Sequence, residues 1–391
     1  MWLSDLRVVL PDEVLERGSL RIENGQIAEI IDGPAPDPTV SAPGLIAIPG
    51  LVDLHGDMLE RDIQPRPGAL FPVALALFEL DKRLAGAGVT TAYAAVSFAW
   101  KQDDLRSMEK AAEIIDTIHH QRDNLLVDFF VHARFEINNP ETGPVLAELL
   151  DKGRVHLVSV MDHTPGQGQY SNIDKYVNFM AKWLGVDPNF IEENALVRMK
   201  DAIKTAADTP RNWDGVRGVI EVAEAREIPV ASHDDDTIEK IDRVADLGVT
   251  ISEFPVTLIA AEEARRRGMH VIMGAPNAYR GESNTGNLSA LEAIKAGLVD
   301  ILATDYFPAA PLHSAFKLVR DGVLPLHESV KLVSKNPAEA MDLRDRGVIE
   351  VGRRADIVLV QEDVHPRVRA TLRSGVPVYW DNYMAQLAPT I

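Results

Sequence analysis

Histidine and carboxylate side chains follow several apolar runs of this sequence, and the first of these runs is PGLVDLHGD. His55 and Asp57 lie two residues apart there. In a β-strand both side chains would point to the same face, because side chains alternate between the two faces of a strand. Imidazole and carboxylate are ligands that first-row transition metals accept. The spacing therefore predicts a metal site at the end of this strand.

Four further apolar runs end in residues of the same types. Glu136 ends LLVDFFVHARFEI, with Arg134 and His132 at alternate positions on the same face, and His163 ends HLVSVMDH. The other two runs are IPVASHDDDT, which contains His233, and VDILATDY, which contains Asp305.

Each of these residues has a simpler interpretation when it is taken alone. A lone histidine at a strand end is often a hydrogen-bonded structural residue, and Arg134 or a backbone group could be the partner of Glu136. The aspartates after His233 could complement the dipole at the start of a helix. Five runs with such ends favour one shared metal site over five separate structural roles.

Composition narrows the chemistry of such a site. The 391-residue chain has no cysteine, so disulfides, thiolate ligands and cysteine nucleophiles are excluded. Its formal net charge of −19 argues against general binding to nucleic acid or to an anionic membrane. No apolar run approaches the roughly 20 residues that span a bilayer, and the first residues lack the features of a signal peptide. We expect a cytoplasmic enzyme with a small-molecule substrate, and an anionic substrate would need local cations.

The elements that must position these residues alternate regularly between about residues 50 and 345. Apolar strand-like runs and amphipathic helical runs follow one another about eight times, which predicts a (β/α)8 barrel over 49–345. In such barrels the active site lies at the C-terminal ends of the strands, where the candidate ligands fall. Residues 1–48 and 346–391 are rich in short strands, with Asn24-Gly25 as a hairpin signal, and predict one small β-sandwich domain built from both chain ends.

Longer segments carry a resemblance to a known family. The run PGLVDLHGDMLERDIQPRPG, with MDHTPGQGQY, ASHDDDT, MGAPNAYRGESNTGNLSA and ATDYFPAA, resembles the amidohydrolase superfamily. The similarity is to the branch that contains alpha-D-ribose 1-methylphosphonate 5-triphosphate diphosphatase, and it extends in order over essentially the whole chain. The resemblance implies a metal-dependent hydrolase of phosphonate metabolism that releases pyrophosphate from a ribose triphosphate.

The resemblance also implies how the ligands are divided between two metals. Many relatives bridge the metals with a carboxylated lysine, and since the strand here contains no lysine, Glu136 is expected to be the bridging ligand. Zinc suits a mixture of imidazole and carboxylate, although manganese or iron would also fit. The implied ligands are His55, Asp57, Glu136 and Asp305 for one metal, and His163 and His233 for the other.

Two segments depart from the diphosphatase pattern, namely HGDM and YRGESNTGN, and both are expected to lie near the substrate. Asp305 is expected to accept a proton from the attacking water, whose pKa a metal lowers from about 15.7 toward about 7. Arginines in loops at this end of the barrel could hold phosphate groups, and TPGQGQ could offer backbone N–H groups. The candidate arginines are Arg61, Arg66, Arg134 and Arg280, with surface ion pairs as the alternative.

Two other functions remain open from the sequence. The same metal centre could hydrolyse a C–N bond of an amide or cyclic amide, as in most of the superfamily. The barrel could also be a metal-free scaffold for assembly, against which the complete set of ligand residues argues. Barrels of this superfamily commonly associate, so a homo-oligomer is expected.

Overall fold

A computed structural model describes residues 1–66, 68–98, 105–139, 141–164, 168, 210–284 and 286–387. The strands in chain order are β1 Trp2–Val9, β2 Val14–Glu23, β3 Gln26–Asp32, β4 Val40–Ser41, β5 Leu45–Pro49, β6 Leu51–Gly56, β7 Val89–Phe98, β8 Asp128–Glu136, β9 Leu157–Met161, β10 Val230–His233, β11 Ile251–Glu253, β12 His270–Gly274, β13 Ile301–Ala303, β14 Ile357–Gln361, β15 Arg367–Arg373 and β16 Val376–Trp380.

The described helices connect these strands, and a short 3-10 helix at Arg122–Asn124 precedes β8. The α-helices in chain order are α1 Met58–Ile63, α2 Val73–Gly86, α3 Met108–Gln121, α4 Thr142–Asp151, α5 Trp213–Glu224, α6 Ile238–Asp246, α7 Leu258–Arg266, α8 Ala275–Arg280, α9 Ala290–Lys295, α10 Ala310–Arg320, α11 Leu326–Lys331, α12 Lys335–Ala340 and α13 Asn382–Leu387. Among the described helices, none is long and apolar enough to cross a membrane.

Strands β6 to β13 form one parallel sheet in which each strand pairs with the next along the chain. All ten residues of β7 are buried, since helices cover the outside of a barrel and side chains fill its interior. The predicted (β/α)8 barrel is therefore confirmed, and its eight strands are the eight apolar runs of the alternating pattern.

The first and last barrel strands are held together by hydrogen bonds at their C-terminal ends. Asp53 accepts hydrogen bonds from Thr304 N at 2.8 Å and from Thr304 Oγ1 at 2.6 Å. In the backbone, Asp305 N donates to His55 O at 2.9 Å, and Asp57 N donates to Asp305 O at 2.7 Å. Closure of the barrel therefore places three of the predicted ligands side by side.

The remaining strands form a second eight-stranded sheet from both ends of the chain, in the order β16-β15-β14-β5-β1-β2-β3, with β4 paired to β1. The predicted Asn24-Gly25 hairpin joins β2 to β3, and both residues have positive φ, at 51° and 78°. This arrangement confirms the small β domain as part of the fold class. The exact boundaries at 48/49 and 345/346 stay a prediction.

Side chains that alternate between the two faces of β5 connect this sheet to the barrel. Leu45 and Ala47 belong to the core of the small sheet, whereas Ile46 and Ile48 belong to the core that extends into the barrel. A period of two residues gives a strand two faces, so one strand can serve two cores at once.

We predict that the link from β5 to β6 tolerates no side chain at Gly50. A Cβ atom there would lie 2.7 Å from Thr90 Cγ2, in β7, and 2.9 Å from Asp356 Cβ, just before β14, and both residues are buried. Gly50→Ala is expected to lower the free energy of unfolding by about 1–3 kcal/mol, the usual cost of overpacking. Urea denaturation measures this change.

The matched control is Gly218→Ala, in the exposed part of α5, where an added Cβ meets nothing within 4 Å. Alanine is the better helix former by about 0.5–1 kcal/mol, so this variant is expected to be at least as stable as the unmodified chain. Equal urea midpoints for the two variants would contradict the steric explanation.

Candidate functional site

The C-terminal ends of five barrel strands bring all six predicted ligands to one mouth of the barrel. His55 and Asp57 follow β6, Glu136 ends β8, and His163 follows β9. The last two, His233 at the end of β10 and Asp305 after β13, complete the set. Strand order in the closed barrel explains the grouping, because parallel strands present their carboxyl ends on the same side.

Three residues that follow barrel strands have a left-handed backbone. The φ angles are 54° for Asp234 after β10, 54° for Phe254 after β11 and 56° for Asp305 after β13. Such conformations cost non-glycine residues about 1–3 kcal/mol and concentrate at functional sites. Both aspartates line the cavity at this end of the barrel, as does the Phe254 ring.

His55, Asp57 and Asp305 form the first group of potential ligands, on the strands that close the barrel. His55 Nε2 lies 3.3 Å from Asp57 Oδ1. Burial opposes protonation of His55, but the charges of Glu253 and Asp57 outweigh it and raise the pKa of His55 to about 10. Burial, helped by the charge of Asp57, raises the pKa of Asp305 to about 7. The group thus concentrates two carboxylates where a cation would be stabilised.

His163, His233 and Asp234 form the second group, and their ligand atoms lie within 4.8 Å of one another. Asp234 Oδ2 lies 3.7 Å from His163 Nε2, and Asp234 Oδ1 lies 3.7 Å from His233 Nε2. On the far side of His163, Nδ1 makes a short hydrogen bond to Glu136 Oε1. Glu136 therefore supports a histidine of this group in the structure, and its role as a bridging ligand stays a prediction.

Asp234 was not among the predicted ligands, because the three aspartates after His233 could have capped a helix. The next helix, α6, is capped by the side chain of Thr237 instead. Asp235 is fully buried and accepts hydrogen bonds from Ser232 and Ser252, so it fixes the loop. Of the three, Asp234 is the one whose carboxylate lies with the two histidines.

The donor set of these groups fits a divalent metal ion. Imidazole nitrogens and carboxylate oxygens converge from different strands, as in catalytic metal sites. Asp234 Oδ2 is buried and has no hydrogen-bond partner among the described residues, although a buried carboxylate oxygen normally has one. A bound cation would satisfy this oxygen, so the observation favours a metal in this group.

Glu253, at the end of β11, was missed by the sequence reasoning. Its Oε1 accepts a hydrogen bond from His55 Nδ1 at 2.8 Å, and its Oε2 accepts one from His233 Nδ1 at 2.8 Å. The side chain is fully buried. Burial opposes ionisation, but the neighbouring histidines hold the pKa of Glu253 well below its usual range. The signal was present in the sequence, since VTISEF is another apolar run with a carboxylate near its end, at Glu253.

His132 lies beneath this pair of contacts and is also fully buried. Its Nδ1 is 3.0 Å from Leu54 O, and its Nε2 has no hydrogen-bond partner among the described residues. Burial lowers the pKa of His132 to about 3, so the ring is neutral. His55, His132 and Glu253 could also hold an ion, but both oxygens of Glu253 already accept hydrogen bonds from histidines.

Arg134 is the one predicted arginine that lies inside the site. Its Nη1 donates to Asp57 Oδ1 at 3.0 Å, and its Nη2 lies 3.3 Å from His233 Nε2. Its Nε donates to Met161 Sδ at 3.1 Å. Although burial opposes the charge, Asp57 and Glu253 raise the pKa of Arg134 above its usual value. A permanent cation thus lies between the two groups of ligands.

The other three predicted arginines lie further out. Arg61 packs over the ring of Tyr306, which lines the cavity, at 5.5 Å from the ring centroid. Arg280 pairs with Glu282 and makes a short hydrogen bond to Asn284. Arg66 is exposed in the loop after α1 and is not one of the residues that line the described cavity.

A cavity of about 220 Å³ opens above the two ligand groups. Four neutral polar residues line its wall, and all four lie in the segment between β12 and α9: Asn277, Ser283, Asn284 and Asn287. Three of them belong to YRGESNTGN, which agrees with the expectation that this segment meets the substrate.

HGDM is the other segment that departs from the diphosphatase pattern, and its Met58 lies in the core, where it is 3 % exposed. Most of the TPGQGQ loop lies outside the described residues, and Gly168 N donates to Asp236 there.

Comparisons with known proteins agree with this site. Residues 148–379 match the model of the amidohydrolase family. The chain is 36% identical to alpha-D-ribose 1-methylphosphonate 5-triphosphate diphosphatase of Escherichia coli strain K12, over 97% of this chain and 100% of that protein. It is also 25% identical to a dihydroorotase of Geobacter sp. strain M21, over 90% of this chain and 88% of that protein.

Solved structures with the same fold are more distant in sequence. A Xaa-Pro dipeptidase with bound methionine superimposes with a TM-score of 0.67 at 13% identity, covering 97% of this chain and 99% of the other. A dihydropyrimidinase from Brevibacillus agri NCHU1002 gives a TM-score of 0.60 at 15% identity, with 97% and 95% coverage. The fold, the family model and the full-length relative agree. The chain therefore belongs to the amidohydrolase family of metal-dependent hydrolases, in the branch of alpha-D-ribose 1-methylphosphonate 5-triphosphate diphosphatase.

Proposed function

We propose that this chain hydrolyses the triphosphate of alpha-D-ribose 1-methylphosphonate 5-triphosphate and releases pyrophosphate, as a step of phosphonate metabolism. The observation that carries the proposal is the buried cation Arg134 between two groups of metal-type ligands at the base of one cavity. A polyphosphate needs several positive charges at once, which such a site can supply in a chain of net charge −19. The 36% identity over nearly the whole chain supports the same substrate class.

The two groups of ligands would hold two divalent metals, of which zinc suits the donors best. His55, Asp57 and Asp305 would hold one, and His163, His233 and Asp234 the other, with Glu136 placed against His163. When bound, such metals polarise phosphoryl oxygens and make water more acidic.

Asp305 is the residue that we assign to proton transfer. Its carboxylate lines the cavity, next to Gly274 at the end of β12, and its backbone is fixed to His55 and Asp57 by two hydrogen bonds. Water attacks the phosphorus next to the ribose, a carboxylate oxygen of Asp305 takes the proton, and the bond to the pyrophosphate oxygen breaks. The same oxygen then returns the proton to a product.

We assign the phosphate contacts to arginines according to how deeply each one is buried. Arg134 is buried and would meet the phosphate nearest the ligand groups, since a planar guanidinium can bind two phosphate oxygens at once. Arg61 and Arg280 are more exposed and would orient the departing phosphates. None of these three outer arginines lines the described cavity itself, but Arg61 packs on Tyr306 and Arg280 bonds to Asn284, and both of these partners do line it. Arg66 stays a weaker candidate, because no such contact is described for it.

The proposed reaction can be tested directly. We expect the purified, zinc-loaded protein to release one pyrophosphate per molecule of the ribose methylphosphonate triphosphate, as measured by an enzyme-coupled pyrophosphate assay. Removal of metal by a chelator is expected to abolish the release, and added zinc to restore it.

A panel of linear and cyclic amides, including dihydroorotate, is the matched comparison, since the chain also resembles dihydroorotases. No pyrophosphate from the metal-loaded protein, together with hydrolysis of an amide, would replace the diphosphatase with a C–N hydrolase. Less than about one equivalent of metal per chain, with no turnover of either substrate, would favour a scaffold.

Asp305→Asn is expected to lower kcat by about 10²–10⁴-fold, the usual contribution of a general acid–base group. The amide keeps the size of the side chain and an oxygen ligand but cannot accept the proton. Steady-state kinetics and metal analysis on the same preparation measure the effect. Asp321→Asn, at the end of α10, is the control and should keep full activity.

A kcat for Asp305→Asn within about threefold of that of the unmodified enzyme would show that Asp305 does not transfer the proton.

Arg280→Ala is expected to raise KM for the triphosphate by about 10–100-fold with little change in kcat, since a charge-assisted hydrogen bond contributes about 1.5–3 kcal/mol. The increase should shrink at high salt, because exposed charges are screened. The control is Arg344→Ala, whose side chain is 84% exposed beyond α12, outside the described cavity. The same KM for both variants would show that Arg280 does not contact the substrate.

A further inference from the structure

Among the residues that the structure describes, Glu253 is the one carboxylate that contacts histidines of both ligand groups. His55 and His233 are stacked with ring centroids 5.6 Å apart and ring planes at 17°, and each directs Nδ1 at a different oxygen of Glu253. The two histidines are 198 and 20 residues away from Glu253 in the sequence. A single side chain thus fixes two rings that come from different barrel strands.

The contacts determine which ring nitrogen faces the cavity. An ionised carboxylate only accepts hydrogen bonds, so each Nδ1 must carry a proton and each Nε2 must be turned the other way. His55 Nε2 faces Asp57, and His233 Nε2 faces Asp234 and Arg134. The 3.3 Å contact with Arg134 Nη2, which is a donor, is independent evidence that His233 Nε2 carries a lone pair.

Such a contact is what a metal-binding histidine needs. A ligand nitrogen must be deprotonated, and the hydrogen bond made by the other ring nitrogen fixes the tautomer and the orientation of the ring. Loss of that second partner typically weakens metal binding by about 10–100-fold. In this protein one carboxylate provides the second partner for two rings.

We propose that Glu253 is a positioning residue that prepares both ligand groups together, by holding His55 and His233 with Nε2 directed at the metals. The proposal rests on the metal centre of the proposed function but not on the identity of the substrate. It predicts that the loss of one acceptor oxygen of Glu253 weakens metal binding by the group whose histidine that oxygen holds, and that the loss of both weakens the two groups together, although Glu253 binds neither metal.

The test is metal affinity in Glu253→Gln. Glutamine has the same shape but one acceptor oxygen and one donor NH2 group, so it can accept an Nδ1–H from only one of the two rings. The other ring must turn or take the opposite tautomer. We expect zinc affinity to fall by about 10–100-fold in at least one group, as measured by metal analysis after dialysis at fixed free zinc. The absorption spectrum of the cobalt-substituted protein should change as well, because it reports ligand geometry.

Asp81→Asn is the matched control, because Asp81 is 2 % exposed and accepts two N–H hydrogen bonds, from Leu126 at 2.8 Å and Val127 at 2.9 Å. It lies on α2, on the outside of the barrel. This variant is expected to lose stability but to keep the zinc affinity and cobalt spectrum of the unmodified protein. A second comparison is Glu136→Gln, which should weaken only the group that contains His163.

The outcomes separate the two proposals. A folded Glu253→Gln with unchanged zinc affinity and cobalt spectrum would overturn the role of Glu253. So would an equal loss of zinc affinity in Asp81→Asn, which would show a general effect of stability. An unmodified protein that binds metal but releases no pyrophosphate would refute the proposed substrate, while the metal affinities would still decide the role of Glu253.

Discussion

The pairing of the first barrel strand with the last is the constraint on which the site depends. Asp53 and Thr304 hold the two strands together from within, and the backbone bonds between His55, Asp57 and Asp305 continue the pairing to the mouth of the barrel. The chain between these strands spans nearly 250 residues, so the contact is made only once the barrel has closed. Ligand residues from both ends of the barrel sequence then become neighbours.

Closure of the barrel brings several carboxylates together, and positively charged groups at the site offset part of their charge. Carboxylates of Asp57, Asp234, Glu253 and Asp305 lie at the same mouth of the barrel, and Asp234 and Glu253 are buried. Burial, helped by the charge of Asp57, raises the pKa of Asp305 to about 7. Arg134 and the histidines offset part of this charge, and divalent metals would offset more. The same excess of negative charge that costs stability in the metal-free chain thus favours the binding of cations and then of phosphates.

Much of the fold could be predicted from the sequence, because hydrophobic periodicity reports it directly. Eight apolar runs separated by amphipathic helices indicate a closed parallel barrel, and short strand-like runs at both ends indicate a small β-sandwich domain. The candidate ligands could also be predicted, since His55 and Asp57 are two residues apart on one strand and the other ligands follow strand ends. The grouping of ligands was less predictable. Whether Glu136 bridges two metals or supports His163 depends on distances between strands that no local pattern contains.

The sequence by itself determined the chemical types available, namely imidazole, carboxylate and guanidinium without thiolate, and the end of the barrel where they would lie. Only the tertiary structure decided which of them act together. It placed Asp234 with two histidines, at a residue where the backbone is left-handed. It placed Glu253 between His55 and His233 because β6, β10 and β11 end at the same mouth of the barrel. Local sequence sets the face on which a side chain lies, whereas the closure of the barrel sets its partners.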